Sequence, residues 1–105
     1  MTTIHVTEAE SVILEALWRC GPLTPPRLMT EVGALRPWGE PTIKTLLGRL
    51  MRKKAVRSVR EEGLLRYHPM IERSAYIERE AKALIDRWFN GDRTAFLTFL
   101  AEPAL

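Results

Sequence analysis

The sequence predicts a mostly α-helical fold with one small β-hairpin, on three observations. Apolar residues recur at helical spacing in the first half of the chain. The period then changes to short β-compatible runs around Arg60-Glu61-Glu62-Gly63. Helical spacing returns from about Ser74 to the end. The chain has 105 residues, 46% of them hydrophobic, which fits one domain, or one small domain with an arm, and argues against disorder. No apolar run approaches the roughly 18 residues of a membrane span. Met1 to His5 has neither the charged nor the apolar region of a signal peptide, so a cytoplasmic protein is expected.

The first helix is announced by Thr7-Glu8-Ala9-Glu10, a capping box in which Thr7 accepts from the Glu10 amide and Glu10 reaches back. Ala9, Val12, Ile13, Ala16 and Leu17 form its apolar stripe, Trp18 and Cys20 close its last turn, and Gly21-Pro22 stops it. Cys20 is the only cysteine, so no internal disulfide or cysteine-based zinc site can form. It is expected to be a small buried or half-buried hydrophobe.

Thr24 is placed to cap a second helix whose first turn holds Pro25 and Pro26, where missing amides cost nothing. Leu28, Val32 and Leu35 face inward, Gly33 weakens the helix, and Arg36-Pro37-Trp38-Gly39 ends it. The third helix, about 41–54, has the cleanest period. Ile43, Leu46, Leu47, Leu50 and Met51 make one core-facing stripe, with Pro41 at the first helical position. The opposite face gathers Pro41, Thr45, Gly48, Arg49 and Arg52, flanked by Thr42, Lys44 and Lys53. Gly48 costs about 1 kcal/mol inside a helix, and on that face it would let another surface approach closely.

Val56 to Val59 and Leu64 to His68 then form the hairpin, ended by Pro69. A long helix carries Ile77, Ala81, Leu84, Ile85 and Trp88 and closes at Asn90-Gly91. A last helix, capped by Asp92, carries Phe96, Leu97, Phe99 and Leu100 and runs to Glu102, before Pro103. The chain thus divides into residues 1–70 and a helical arm, 71–105.

Charge is distributed unevenly along this framework. The whole chain has a net charge of +3, yet residues 36–66 hold nine basic residues against three acidic ones, a balance of +6. Both flanks are mildly acidic. A concentrated positive segment suits a polyanion, because each neutralised phosphate releases condensed counterions. Three helices and a hairpin, with a third helix basic on its far side, make the layout of a winged helix-turn-helix, whose third helix enters the DNA major groove. There Arg49 suits a bidentate contact to guanine, and Thr42 and Thr45 suit a phosphate or base edge. Lys44, Arg52, Lys53 and Lys54 suit phosphates, and Arg57, Arg60 and Arg66 lie on the hairpin beside the groove.

At these residues the sequence resembles the penicillinase-repressor (BlaI/MecI) family. The resemblance is carried by Ala9-Glu10, Leu17-Trp18, Pro22-Leu23-Thr24, and Trp38 followed by Thr42-Ile43-Lys44-Thr45-Leu46-Leu47-Gly48-Arg49-Leu50. Tyr67-His68-Pro69 and Trp88-Phe89-Asn90-Gly91 extend it over roughly residues 6 to 101. It implies a dimeric winged-helix repressor on a palindromic operator, with Thr42, Thr45 and Arg49 at base- and backbone-contacting positions. The departures are local. Pro41 stands where well-known members have lysine, the hairpin tip is acidic, and the cysteine hooks of the copper-responsive branch are absent. The arm ends at Leu105, earlier than the family's usual dimerisation arm. Members that respond to β-lactams are cleaved at an Asn-Phe bond; the corresponding pair here, Thr98-Phe99, is where a regulatory protease would act.

The expected partners are therefore a double-stranded DNA operator and a second copy of the chain, with no membrane and no cofactor. Ile77, Leu84, Ile85, Trp88, Phe89, Phe96, Leu97, Phe99 and Leu100 are more apolar surface than a small core covers, which predicts a homodimer interface. The alternative is a winged-helix protein-interaction module without specific DNA binding, which Pro41 and the acidic tip favour and the basic segment opposes. Enzyme function is not expected. His5 and His68 are the only histidines, and no nucleophile set, phosphate loop or metal-ligand spacing occurs; His68 suits packing at a strand end.

Overall fold

A computed structural model describes residues 4–102 as five helices and one hairpin. The helices are α1 (Glu8–Cys20), α2 (Pro25–Leu35), α3 (Glu40–Arg52), α4 (Arg73–Phe89) and α5 (Arg93–Ala101), with strands β1 (Val56–Glu61) and β2 (Leu64–Pro69) between α3 and α4. They form two compact units, one ending at Glu72 and one starting at Arg73. Among the described residues no helix is long and apolar enough to cross a membrane. Pro103, Leu105 and Met1 to Thr3 lie outside the described residues.

In the first unit α1 is the central element and packs against α2, α3 and β2. Its capping box is formed: Thr7 Oγ1 accepts from the Glu10 amide at 3.1 Å, and Glu10 Oε1 accepts from the Thr7 amide at 3.0 Å. Ile13, Leu14, Leu17, Leu28, Val32, Ile43, Leu50 and Val56 fill the core, each essentially inaccessible to solvent. Leu14 lies outside the stripe expected from spacing. It is buried because α1 is covered from several sides, so its buried arc is wider than one seam. Trp18 adds a long-range tie, its indole Nε1 donating to the Ile71 carbonyl at 2.8 Å.

The hairpin runs in register from Val56 opposite Pro69 to Glu61 opposite Leu64. Its strands extend further than the β-compatible runs suggest, because the reversal needs only Glu62 and Gly63. Both have positive φ, 52° and 79°, the combination that a two-residue type I′ turn requires. Leu23 continues the sheet by a short antiparallel bridge, exchanging both backbone hydrogen bonds with Tyr67. This bridge fixes the hairpin to the connection between α1 and α2.

Several expectations need correction. Cys20 is exposed, not buried, because the last turn of α1 joins an ionic cluster in which Arg19 and Arg27 both reach Glu31, at 3.4 and 3.3 Å. Met51 is 37% exposed: it follows the core stripe off the end of α3 and lines a shallow cleft with Val56, Arg57 and Met70. Pro41 takes the second helical position, since Glu40 takes the first. Thr24 is the N-cap residue of α2 by its backbone, but its side chain makes no capping bond.

In the second unit Asn90 and Gly91, both at positive φ, turn the chain from α4 into α5, and Asp92 caps α5 by accepting from the Ala95 amide at 3.0 Å. Phe89 meets Phe96 and Phe99 with ring centroids 5.4 and 5.5 Å away. Ile85 is buried within the single chain, at 8% exposure, and so cannot serve a partner as the sequence suggested. Ile77, Leu84, Trp88, Leu97, Phe99 and Leu100 stay exposed, Trp88 with the Arg87 guanidinium 4.8 Å above its ring. Phe89 and Phe96 are half-buried.

Candidate nucleic-acid interface

The site is built on α3. Its inward residues Ile43, Leu46, Leu47 and Leu50 are buried, which fixes the helix's rotation about its axis. Thr42, Lys44, Thr45, Arg49 and Arg52 are thereby left exposed. The Thr45 hydroxyl donates to the Pro41 carbonyl one turn back at 3.0 Å, so its oxygen and its methyl group are what it can still offer. A Cβ added at Gly48 would meet nothing but Arg52 Nη1, at an ordinary 3.7 Å. The glycine therefore leaves room over which the Arg52 guanidinium can move.

Lys53 differs from its neighbours. It is the C-cap residue of α3, and its Nζ lies 2.5 Å from Oε1 of Glu10, a carboxylate on α1 with no solvent exposure. Burial pushes the Glu10 carboxyl upward, but the Lys53 ammonium and the Thr7 bonds outweigh it and hold the group below the usual carboxylate range. Glu10 Oε2 has no hydrogen-bond partner among the described residues. The charge of Lys53 is thus committed to the core, and the sequence pattern missed the pair because 43 residues separate its members. Lys54, the next residue, is exposed and adopts a φ of 63° as the chain leaves the helix.

At the start of α3, Lys44 Nζ lies 2.8 Å from Glu40 Oε1 on the previous turn, with both side chains more than half exposed. This contact holds Lys44 protonated to higher pH than usual.

Beside α3 the hairpin presents its three arginines unequally. Strand alternation puts Arg57 and Arg66 on one face with Val59, Glu61 and His68, and Arg60 on the other with Val56 and Ser58. Arg57 and Arg60 are exposed and Arg66 is half-buried. Arg60 also turns back to the Gly63 carbonyl at 3.5 Å. His68 Nε2 lies 2.8 Å from Glu61 Oε1, so the histidine pairs along the strands rather than only packing at their end. Among the described residues no cluster of three metal-ligating side chains occurs.

The chain is similar in sequence and fold to known proteins. The sequence fits the penicillinase-repressor family over residues 6–104. It is 28% identical to the penicillinase repressor of Bacillus licheniformis over 96% of this chain and 80% of that one. It is 22% identical to the methicillin resistance regulatory protein MecI of Mammaliicoccus sciuri, over 85% of this chain and 72% of that one. The solution structure of monomeric Bacillus licheniformis BlaI in complex with the blaP half-operator superposes with a TM-score of 0.64 at 27% identity. That likeness covers 72% of this chain and 94% of the other.

Proposed function

Since the chain belongs to the penicillinase-repressor (BlaI/MecI) family, whose members are repressors rather than enzymes, we propose that it is a sequence-specific DNA-binding transcriptional repressor acting as a homodimer on a palindromic operator. One observation carries the reading: α3 buries four apolar residues and, by the same rotation, leaves Thr42, Thr45, Arg49 and Arg52 exposed beside a basic hairpin. α3 lies in the major groove. Arg49 takes the guanine O6 and N7 pair, and Thr45 and Thr42 take a thymine methyl, a base edge or a phosphate. Lys44, Arg52, Lys54, Arg57, Arg60 and Arg66 hold the phosphate backbone. Lys53 is left out of this set, since moving it to DNA would strand the buried Glu10 carboxylate.

Residues 71–105 act as the dimerisation arm. Ile77, Leu84, Trp88, Leu97, Phe99 and Leu100 supply its apolar surface, with the half-buried Phe89 and Phe96 beneath them. A two-fold pair covers this surface and sets two α3 helices about one DNA turn, or a multiple, apart. A DNA target places the site of action in the cytoplasm. Release by a protease at Thr98-Phe99 would require α5 to open first, because that bond lies inside the helix and the Thr98 carbonyl accepts from the Glu102 amide.

The test is titration of labelled duplex from upstream of the protein's own gene, against a random duplex of equal length, across a salt series. The operator should bind at least about a thousandfold more tightly, with affinity falling steeply as salt rises. Equal binding of the two duplexes would refute sequence specificity and favour the protein-interaction module instead.

A further inference from the structure

α3 begins with an acid where the reading of DNA also begins. A helix N-terminus ordinarily attracts phosphate through its free amides and the positive end of its dipole. Here the first helical residue is Glu40, and the second, Pro41, has no amide to give. The end of α3 that would grip a phosphate thus carries a carboxylate in its first turn. Glu40 is at the same time the partner of Lys44, Oε1 to Nζ at 2.8 Å, with the two side chains 61% and 64% exposed. An exposed i,i+4 pair of this kind adds little to stability. Its consequence lies in what each member can bond when DNA replaces water.

A carboxylate only accepts hydrogen bonds, and phosphates and the guanine edge only accept as well. In the major groove the donors are the amino groups of cytosine and adenine, and the usual match for a carboxylate is cytosine N4. The ammonium of Lys44 has the opposite complement, phosphate or guanine. We propose that Glu40 is a specificity-determining residue: it keeps Lys44 from phosphate on DNA at large and gives it up where the operator offers a cytosine amino group. On a sequence without that donor, Glu40 meets only acceptors and keeps Lys44 as its counter-ion, so one phosphate contact is lost. On a sequence with it, cytosine N4 donates to Glu40 and Lys44 moves to the backbone. The Glu40–Lys44 pair thus turns one general phosphate contact into one that depends on a base.

This inference rests on the DNA-binding reading, and the experiment separates the two. Wild type, Glu40→Gln and Lys44→Gln are titrated by fluorescence anisotropy on the operator and on a random duplex, each at several salt concentrations. Glu40→Gln should bind random duplex more tightly, with a salt slope steeper by about 0.9, the value for one added phosphate contact. The preference for operator over random duplex should fall by about fivefold or more, the lower end for losing one base contact. In an operator series changing one C·G pair at a time, one pair should matter to wild type and not to Glu40→Gln. Lys44→Gln should weaken binding to both duplexes, since it removes the operator contact and bares the Glu40 carboxylate on random DNA, and adding it to Glu40→Gln should return random-duplex affinity and salt slope to wild-type values. If wild type prefers the operator and Glu40→Gln keeps the same preference and salt slope, the role of Glu40 is overturned while the repressor reading stands. If wild type shows no preference, both are overturned.

Discussion

Replacing Lys53 by methionine removes an ammonium from a carboxylate that water cannot reach. Glu10 has no solvent exposure, its Oε1 takes both the Lys53 ammonium and the Thr7 amide, and its Oε2 is already unpaired among the described residues. Breaking a buried ion pair by deleting one partner costs about 3–5 kcal/mol, because the remaining charge stays buried. The Lys53 side chain is 32% exposed, so water can partly enter its place, which favours the lower end, about 3 kcal/mol. Against a total stability of about 5–15 kcal/mol, that is a large fraction. Urea unfolding followed by circular dichroism at 222 nm measures it directly. Adding Glu10→Leu to Lys53→Met should restore most of the loss, since an apolar pair in place of a buried ion pair is often neutral or better. Acid provides an independent check. The Glu10 carboxyl is held below its ordinary value in the folded chain, so its contribution is complete above about pH 4.5 and lost as pH falls through the lowered value. Wild type should therefore lose stability below about pH 4.5 more steeply than Glu10→Gln does. A Lys53→Met variant destabilised by less than about 1 kcal/mol, the range of a surface pair, would refute the reasoning.

The other predictions concern the DNA face and the arm. Arg49→Ala should weaken operator binding by about 1–3 kcal/mol and relax discrimination at one base pair, read by anisotropy on operator variants. Gly48→Ala should raise thermal stability by up to about 1 kcal/mol, since the new methyl meets only Arg52 Nη1 at 3.7 Å; weaker operator binding by the same variant would show that α3 approaches DNA closely at this point. Leu84→Glu, on the exposed face of α4, should shift sedimentation in moderate salt from dimer to monomer at micromolar concentration, while α4 keeps its helical signal. A wild-type protein that sediments only as monomer would refute the dimer.

How much of this was legible beforehand follows the range of the interactions concerned. The capping box at Thr7 and Glu10, the apolar stripe of α3 and the Asp92 cap all rest on spacings of three or four residues; both caps are formed, and the stripe is buried as far as Leu50. The hairpin was legible from its change of period, although its tightness depends on Glu62 entering positive φ before Gly63. Which residues α3 exposes was legible as well, because burying one stripe of a helix fixes what the other side shows. The Lys53 pair was not, since nothing local separates a lysine that faces a buried glutamate from one that faces solvent. Sequence spacing does not separate the hairpin arginines, and only the strand register divides Arg57 and Arg66 from Arg60.

The sequence by itself determined the order of elements, the third helix as the basic one, and the family, because periodicity, caps and charge placement are properties of neighbours along the chain. The tertiary structure decided which charges are available. It tied Lys53 to Glu10 across 43 residues, brought Cys20 into polar company at the end of α1, and buried Ile85 while leaving Trp88 exposed. The physical reason is that desolvation depends on what covers a side chain from every direction. A helix spacing fixes only which residues share a face.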